Sequence, residues 1–190
     1  MKQITTRNLE LVPVHPKYVN AVYKIIKEEN KELSSWTTIA YPITKKKIRE
    51  YYHEGKRNDD SIFIIKSKTG EVMGSINFLY RKRSNSGAIG YWLGRDYRNK
   101  GYMTEAVKKM IEYGFRRKSV VRIDITALEQ NIPSQTVIKK CGFIYEGTQR
   151  MAALNGLNQY GNLRMYSILK DEFEKKRIEQ KIGKNKLYNF

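Results

Sequence analysis

Seven apolar or small positions, Met103, Ala106, Val107, Met110, Ile111, Gly114 and Phe115, fall at i, i+3, i+4, i+7, i+8, i+11 and i+12. That is the period of one buried helix face. A run of strand type, Ile89-Gly90-Tyr91-Trp92-Leu93, precedes it. Upstream, Ser61–Ile65 and Val72–Leu79 flank the turn Lys68-Thr69-Gly70-Glu71 as a hairpin. A polar turn from Arg81 to Ser86 then leads to the Ile89–Leu93 strand, predicting a three-strand antiparallel meander. Downstream, Val121, Ile123, Ile125 and Ala127 alternate with Arg122, Asp124 and Thr126, a half-buried strand. The order strand, loop, helix, strand is a βαβ unit, so its two strands are expected to be parallel.

The flanks are read the same way. Leu9–Val12 is a first strand ended by Pro13 and Pro16, and Val19, Val22, Tyr23 and Ile26 mark a helical face. Asn30 to Ile43 reads as a polar stretch holding Trp36 and Tyr41, and Thr44 caps a Lys-rich helix through Tyr52. Asn131 is an N-cap, with Pro133 in the first turn, for a helix with a buried stripe of Val137, Ile138 and Cys141; Gly142 ends it. Phe143–Tyr145 and Leu163–Leu169 are the last strands, joined around the turn dipeptide Asn155-Gly156. No internal repeat is visible. We expect one domain over residues 1–173 and a charged helical extension and tail over 174–190.

Composition narrows the class. A chain of 190 residues with 40% hydrophobic positions suits a single core. No apolar run approaches the ~18 residues of a membrane span, and Met1–Arg7 has no apolar signal-peptide core. One cysteine excludes an internal disulfide framework, and no Cys/His metal pattern occurs. These features predict a cytoplasmic protein without a metal. The net charge of +18 favours anionic partners or serves solubility; no long basic tract, zinc-finger spacing or aromatic RNA-binding signature accompanies it.

The chemistry concentrates where the basic segment Arg98-Asn99-Lys100-Gly101 runs into the helix at Tyr102-Met103-Thr104. Free N–H groups and the positive end of a helix dipole make such a turn an anion site. It is neither a P-loop nor a dinucleotide fingerprint, because no G-x-x-x-x-G-K-[S/T] or G-x-G-x-x-G occurs. The segment resembles the acetyl-CoA pyrophosphate loop of the GNAT N-acetyltransferases, here Arg98-x-x-Gly101-x-Met103. Met103 replaces the usual small residue, as in the RimJ/RimL-like branch, which acetylates protein N-termini. Asn131-x-x-Ser134…Gly142-Phe143 is a second match, and the resemblance covers roughly Thr6 to Phe173.

The resemblance implies an α/β fold with a mixed, twisted, splayed sheet flanked by helices on both faces, and acetyl-CoA lying where a parallel pair parts. Arg98, Asn99, Lys100, Gly101, Tyr102, Met103 and Thr104 would then hold the pyrophosphate, mostly by backbone N–H groups, and Trp92, Leu93 and Gly94 would give the strand edge that pairs with pantetheine. Asn131 would bond the pantetheine arm. Lys140 either reaches the phosphates or is a surface lysine. Trp36 either walls the acceptor pocket or packs on the core. Ser134 either gives a proton to the leaving thiolate or serves the cap and the pantetheine. Many relatives carry a glutamate base where this chain has Ala88; Glu129 is either its substitute or a solvated loop carboxylate. Cys141 reads as an inert core thiol, and His15 and His53 as surface residues.

Three functions fit these features. The first is acetyl transfer to a protein or peptide α-amine, in a monomer or homodimer. The second is acetyl transfer to a polyamine or aminoglycoside, which a +18 chain would repel unless the pocket itself is acidic. The third is CoA or ribosomal-RNA binding without turnover. If the charge draws the chain to a ribosome, co-sedimentation should fall steeply with added salt, because counterion release sets such affinity; no association at low salt would leave +18 as a solubility feature.

Overall fold

The computed structural model describes residues 2–58 and 60–186. Eight strands form one sheet: β1 (Ile4–Thr5), β2 (Leu9–Pro13), β3 (Ser61–Ser67), β4 (Val72–Arg81), β5 (Ser86–Leu93), β6 (Arg122–Leu128), β7 (Ile144–Leu154) and β8 (Tyr160–Leu169), in the order β1-β2-β3-β4-β5-β6-β8-β7. The helices are α1 (Val19–Glu28), α2 (Asn30–Trp36), α3 (Lys45–Arg57), α4 (Tyr102–Arg117), α5 (Ile132–Lys140) and α6 (Lys170–Lys186). Of the expected polar tail, residues 187–190 lie outside the described residues.

The β3-β4-β5 meander is antiparallel, as the alternation predicted, and β5 and β6 are parallel across α4. All seven positions of the α4 stripe are buried. They pack with Phe63, Phe78, Ile123 and Ile125 into the larger core on one sheet face. Fully burying such side chains stabilises by roughly 1.5–3 kcal/mol each. Gly114 is part of that fit: a Cβ there would stand 2.4 Å from the Phe78 ring, so only glycine lets α4 lie this close. A second core on the opposite face joins Val12, Val22 and Ile26 to Ile48, Tyr52, Ile62 and Ile64 under α1 and α3.

Two expectations change. Asn30–Trp36, read as irregular, is helix α2. Its only buried apolar side chain is Leu33, too little for a periodic signal. The Asn30 side chain holds the following chain instead: Oδ1 accepts from Ile43 N–H at 2.7 Å and Nδ2 donates to Ala40 O at 3.1 Å. In the β6 segment Val121 is 52% exposed and precedes the strand, whereas Asp124 is buried. Asp124 tolerates burial because Arg81 donates two hydrogen bonds to it, at 2.6 and 3.0 Å. In α5, Ile138 is buried with Gln135, while Val137 and Cys141 of the expected stripe are only half-buried.

Parallel pairing of β5 with β6 runs Ser86↔Arg122, Gly87↔Ile123 and Ala88↔Asp124, and stops there. Beyond that rung, among the described residues, β6 pairs only with β8 and β5 only with β4. The splayed sheet is therefore real, and its gap opens between Ile89–Leu93 and Ile125–Leu128.

Glu146 on β7 accepts from Arg122 Nη1 at 2.6 Å and from Ser167 Oγ at 2.7 Å, tying three strands below the gap. The Arg122 and Ser167 bonds hold its carboxyl down to about 2. A depressed carboxylate pKa contributes stability that is complete above the ordinary value of 4.5 and is lost as pH falls through about 2. Urea unfolding between these limits should show that acid loss in the parent chain and a flatter profile in Glu146→Gln; identical profiles would remove Glu146 from the acid limb.

Candidate active site

The last β5 residues lead through a single helical turn, Arg95–Tyr97, into Arg98–Gly101 and the start of α4. Asn99 and Gly101 both take left-handed backbone, at φ +61° and +80°. Gly101 is the N-cap of α4 and has no side chain with which to cap it. The first intrahelical bond is Glu105 N–H to Gly101 O, 3.0 Å. The N–H groups of Tyr102, Met103 and Thr104 therefore have no acceptor within the helix. A Cβ on Gly101 would meet nothing within 4 Å, so the turn opens onto free space. Met103 sends its side chain into the core, which leaves only its backbone for a ligand. Asn99 and Lys100 are exposed. Glu105 does not compete for the site, because Asn8 binds both of its oxygens at 2.8 Å.

The Arg98 side chain is engaged within the protein. Its Nε donates to Leu93 O at 3.0 Å, Nη1 to Glu32 at 2.9 Å, and Nη2 to Glu29. Its guanidinium lies 5.5 Å from the Trp36 ring centre, and its N–H donates to Arg95 O. With these donors engaged, the Arg98 side chain braces the loop. Arg95 joins the clamp through its N–H to Glu29, 2.8 Å, and its side chain to Glu32. Burial pushes the Glu32 carboxyl up, but the bonds from Arg95 and Arg98 outweigh it and hold the group below the usual carboxylate range.

The strand edge facing the gap also differs in register. Gly94 N–H donates to Met73 O at 2.9 Å, toward β4. Backbone groups alternate along a strand, so Trp92 turns toward β4 as well, while Leu93 and Tyr91 face the gap. Of the three expected edge residues only Leu93 presents its N–H there, its carbonyl being taken by Arg98. Trp92 packs its ring on the second core.

Across the gap, Asn131 caps α5 by accepting from Ser134 N–H at 3.1 Å, and its Nδ2 donates to Trp36 O at 3.1 Å. The Asn131 side chain is thus a brace between α2 and α5. Ser134 Oγ lies 2.9 Å from Tyr91 Oη, which also donates to Ser134 O at 3.3 Å. Tyr91 escaped the sequence reading because it occupies an inward strand position that reads as core. Its signal is a hydroxyl on an apolar face inside the splayed segment.

Glu129 accepts from Arg164 at 3.0 Å and from Asn162 at 2.8 Å, which hold its carboxyl below the usual range. A carboxylate so held is a weak base near neutral pH. Lys140 is exposed on the last turn of α5, beside Cys141, whose Sγ contacts Thr104 O at 3.7 Å. That places Lys140 at the same end of the gap as the anion turn. Burial pushes the Cys141 thiol up to about 11, so it stays protonated. His15 and His53 are exposed. A groove of ≈ 600 Å³ along the α1–α2 junction reaches Ser35, Tyr41 and Leu157.

An anion turn, a gap edged by free backbone, and a hydroxyl pair beside it suit one extended ligand with phosphates at one end. Residues 8–144 match the family model described as an acetyltransferase (GNAT) domain. The chain belongs to the GNAT acetyltransferase family. It is an acetyl-CoA-dependent N-acetyltransferase. An uncharacterized N-acetyltransferase of Bacillus subtilis, YnaD, is 28% identical over 157 residues, 75% of this chain and 92% of that one. The ribosomal-protein-serine acetyltransferase of Escherichia coli is 26% identical over 173 residues, 87% of this chain and 95% of that one. Among solved structures RimL, a ribosomal protein α-N-acetyltransferase in complex with coenzyme A, superposes with a TM-score of 0.80 at 20% identity, covering 90% of this chain and 99% of that one.

The turn leaves the N–H groups of Tyr102 to Thr104 free to hold an anion of the pyrophosphate type. Gly101→Val forces a β-branched residue to φ +80° and fills the open approach. We expect acetyl-CoA affinity to fall about tenfold or more in calorimetry, with the melting transition still cooperative; unchanged affinity would remove this turn from the site.

Proposed function

We propose that this acetyltransferase acts on the α-amino group of a protein or peptide N-terminus. The observation that carries it is the state of the carboxylates on β6 and just after it. Asp124 is held by Arg81 and Glu129 by Arg164, and Ala88 stands where a base would be. A site of this kind suits an amine that needs little help to lose its proton. A peptide α-amine has a pKa of ~7.7–8.0, whereas a lysine-type amine at ~10.4 is almost wholly charged at neutral pH. The names of the E. coli relative and of RimL support the same acceptor class. A polyamine acceptor is disfavoured by the net charge of +18. An acceptor of this kind is met in the cytoplasm.

Acetyl-CoA supplies an acyl group activated as a thioester. Transfer forms the amine N–C bond and breaks the C–S bond, whose electron pair goes to sulfur, while the amine proton leaves to water. In this reading Tyr102, Met103 and Thr104 bind the pyrophosphate through backbone N–H groups, with Asn99, Lys100 and Gly101 shaping the turn. Lys140 adds positive charge at that end. Leu93 N–H orients the donor along the β5 edge and polarises the acyl carbonyl. Asn131 holds the first turn of α5, and Ser134 Oγ–H donates to the departing sulfur. Glu129 ties β6 to β8 and takes no proton. Fixing both reactants against these groups supplies much of the rate.

Thiol release from acetyl-CoA, measured with peptides of varied N-terminal residue, spermidine and an aminoglycoside, tests the acceptor class: turnover with peptides supports it, and turnover confined to polyamines overturns it. Ser134→Ala should lower kcat by ~10²–10⁴-fold with little change in the acetyl-CoA KM. Full turnover at saturating acetyl-CoA, or a loss confined to KM, would make Ser134 a binding or capping residue.

A further inference from the structure

Ser134 has one hydroxyl proton, and the geometry around it determines where that proton points. Its backbone is fixed by the Asn131 cap, and the adjoining Gln135 side chain donates to Glu129 O at 2.7 Å. Among the described residues, the one side-chain group bonded to Ser134 Oγ is the Tyr91 phenol at 2.9 Å. Two arrangements of this pair are possible. If Ser134 donates to Tyr91, the phenol proton goes to Ser134 O, at 3.3 Å, and the seryl proton is turned away from the gap. If Tyr91 donates to Ser134 Oγ, the seryl proton is released toward the gap. The second uses the shorter contact, and a serine that accepts one hydrogen bond is a stronger donor of its own.

We propose that Tyr91 is the positioning residue that makes Ser134 a donor to the CoA sulfur: its phenol O–H binds Ser134 Oγ and turns the seryl proton into the gap between β5 and β6. This rests on the reading of Ser134 given above. The pair answers charge as it develops. With a neutral thioester in the gap nothing favours one arrangement strongly; negative charge on sulfur draws the seryl proton inward, and the phenol follows onto Oγ. The interaction therefore strengthens as the C–S bond breaks, which is what accelerates a reaction. Tyr91 itself keeps its proton. Burial pushes the phenol far up, the Ser134 bond only partly offsets this, and the nearby Cys141 thiol raises it further. Cys141 is protonated at neutral pH too, so it brings no charge to the pair.

The thiol of bound CoA reports the same hydrogen bond without turnover or a known acceptor. With the enzyme saturated by CoA, thiolate absorbance in the ultraviolet is titrated against pH for the parent chain, Tyr91→Phe, Ser134→Ala and the double variant. Free thiols of this kind titrate near ~8.5. We expect the parent to lower the bound thiol by about one unit, a roughly tenfold larger thiolate fraction. Tyr91→Phe should lose most of that shift, and Ser134→Ala and the double variant should coincide, because Tyr91 acts only through Ser134. CoA affinity in calorimetry should be unchanged in Tyr91→Phe, which keeps the packed ring. Tyr91→Met, flexible enough to fill the same space, is a second hydroxyl-free variant and should titrate like Phe. A parent-like titration in either folded Tyr91 variant, alongside a shift in Ser134→Ala, overturns the proposal and leaves Ser134 standing. Additive shifts in the double variant overturn it as well. A parent-like titration in Ser134→Ala instead overturns the Ser134 reading, and the Tyr91 proposal with it.

Discussion

At the last rung where β5 and β6 pair, Asp124 sits buried beside Ala88 and is held by two hydrogen bonds from Arg81. Below it, Glu146 links Arg122 on β6 to Ser167 on β8. Above it the strands part. A buried charge without its partner is costly, so this rung holds only while the strands stay in register. It fixes where the gap starts, and hence which residues line it: Tyr91 and Leu93 on one side and the first turn of α5 on the other. Backbone groups left unpaired in such a gap favour a ligand that supplies the missing hydrogen bonds. The pantetheine arm of CoA carries amides that can do so.

Most of the framework was legible where burial follows a period. The α4 stripe, the meander and the parallel β5–β6 pair are read directly from apolar spacing. The short α2 was not, because Leu33 is its one buried apolar residue and side-chain bonds such as Asn30 to Ile43 N–H hold the segment after it. The β7–β8 hairpin runs well beyond its expected ends, since exposed strand residues such as Met151 and Tyr160 carry no alternation a reader can use.

The site divides in the same way. Gly101 and the N-terminus of α4 were legible because a left-handed glycine before a helix is a local device. Arg98 was not: its partners Glu29 and Glu32 lie 69 and 66 residues away, and only the fold brings them together. Nor does the motif reveal that the Asn131 side chain is engaged by Ser134 N–H and Trp36 O. Strand register decided the edge, since a shift of one residue exchanges the groups facing β4 for those facing the gap. Tyr91 is hidden for the opposite reason to Arg98. It looks like ordinary core, and its meaning comes from a hydroxyl 43 residues away.

The α2 helix, only seven residues long, touches both ends of the donor site. Glu32 and the Trp36 ring receive Arg98, which braces the turn before α4, while Trp36 O receives Asn131, which starts α5. The two helix N-termini are thereby referenced to one small solid. It acts as a gauge block: the distance from the turn before α4 to the first turn of α5 is set by a piece that itself contacts the turn at Asn155 and Gly156. Loosening that block would detune both ends together, even with every residue lining the gap intact.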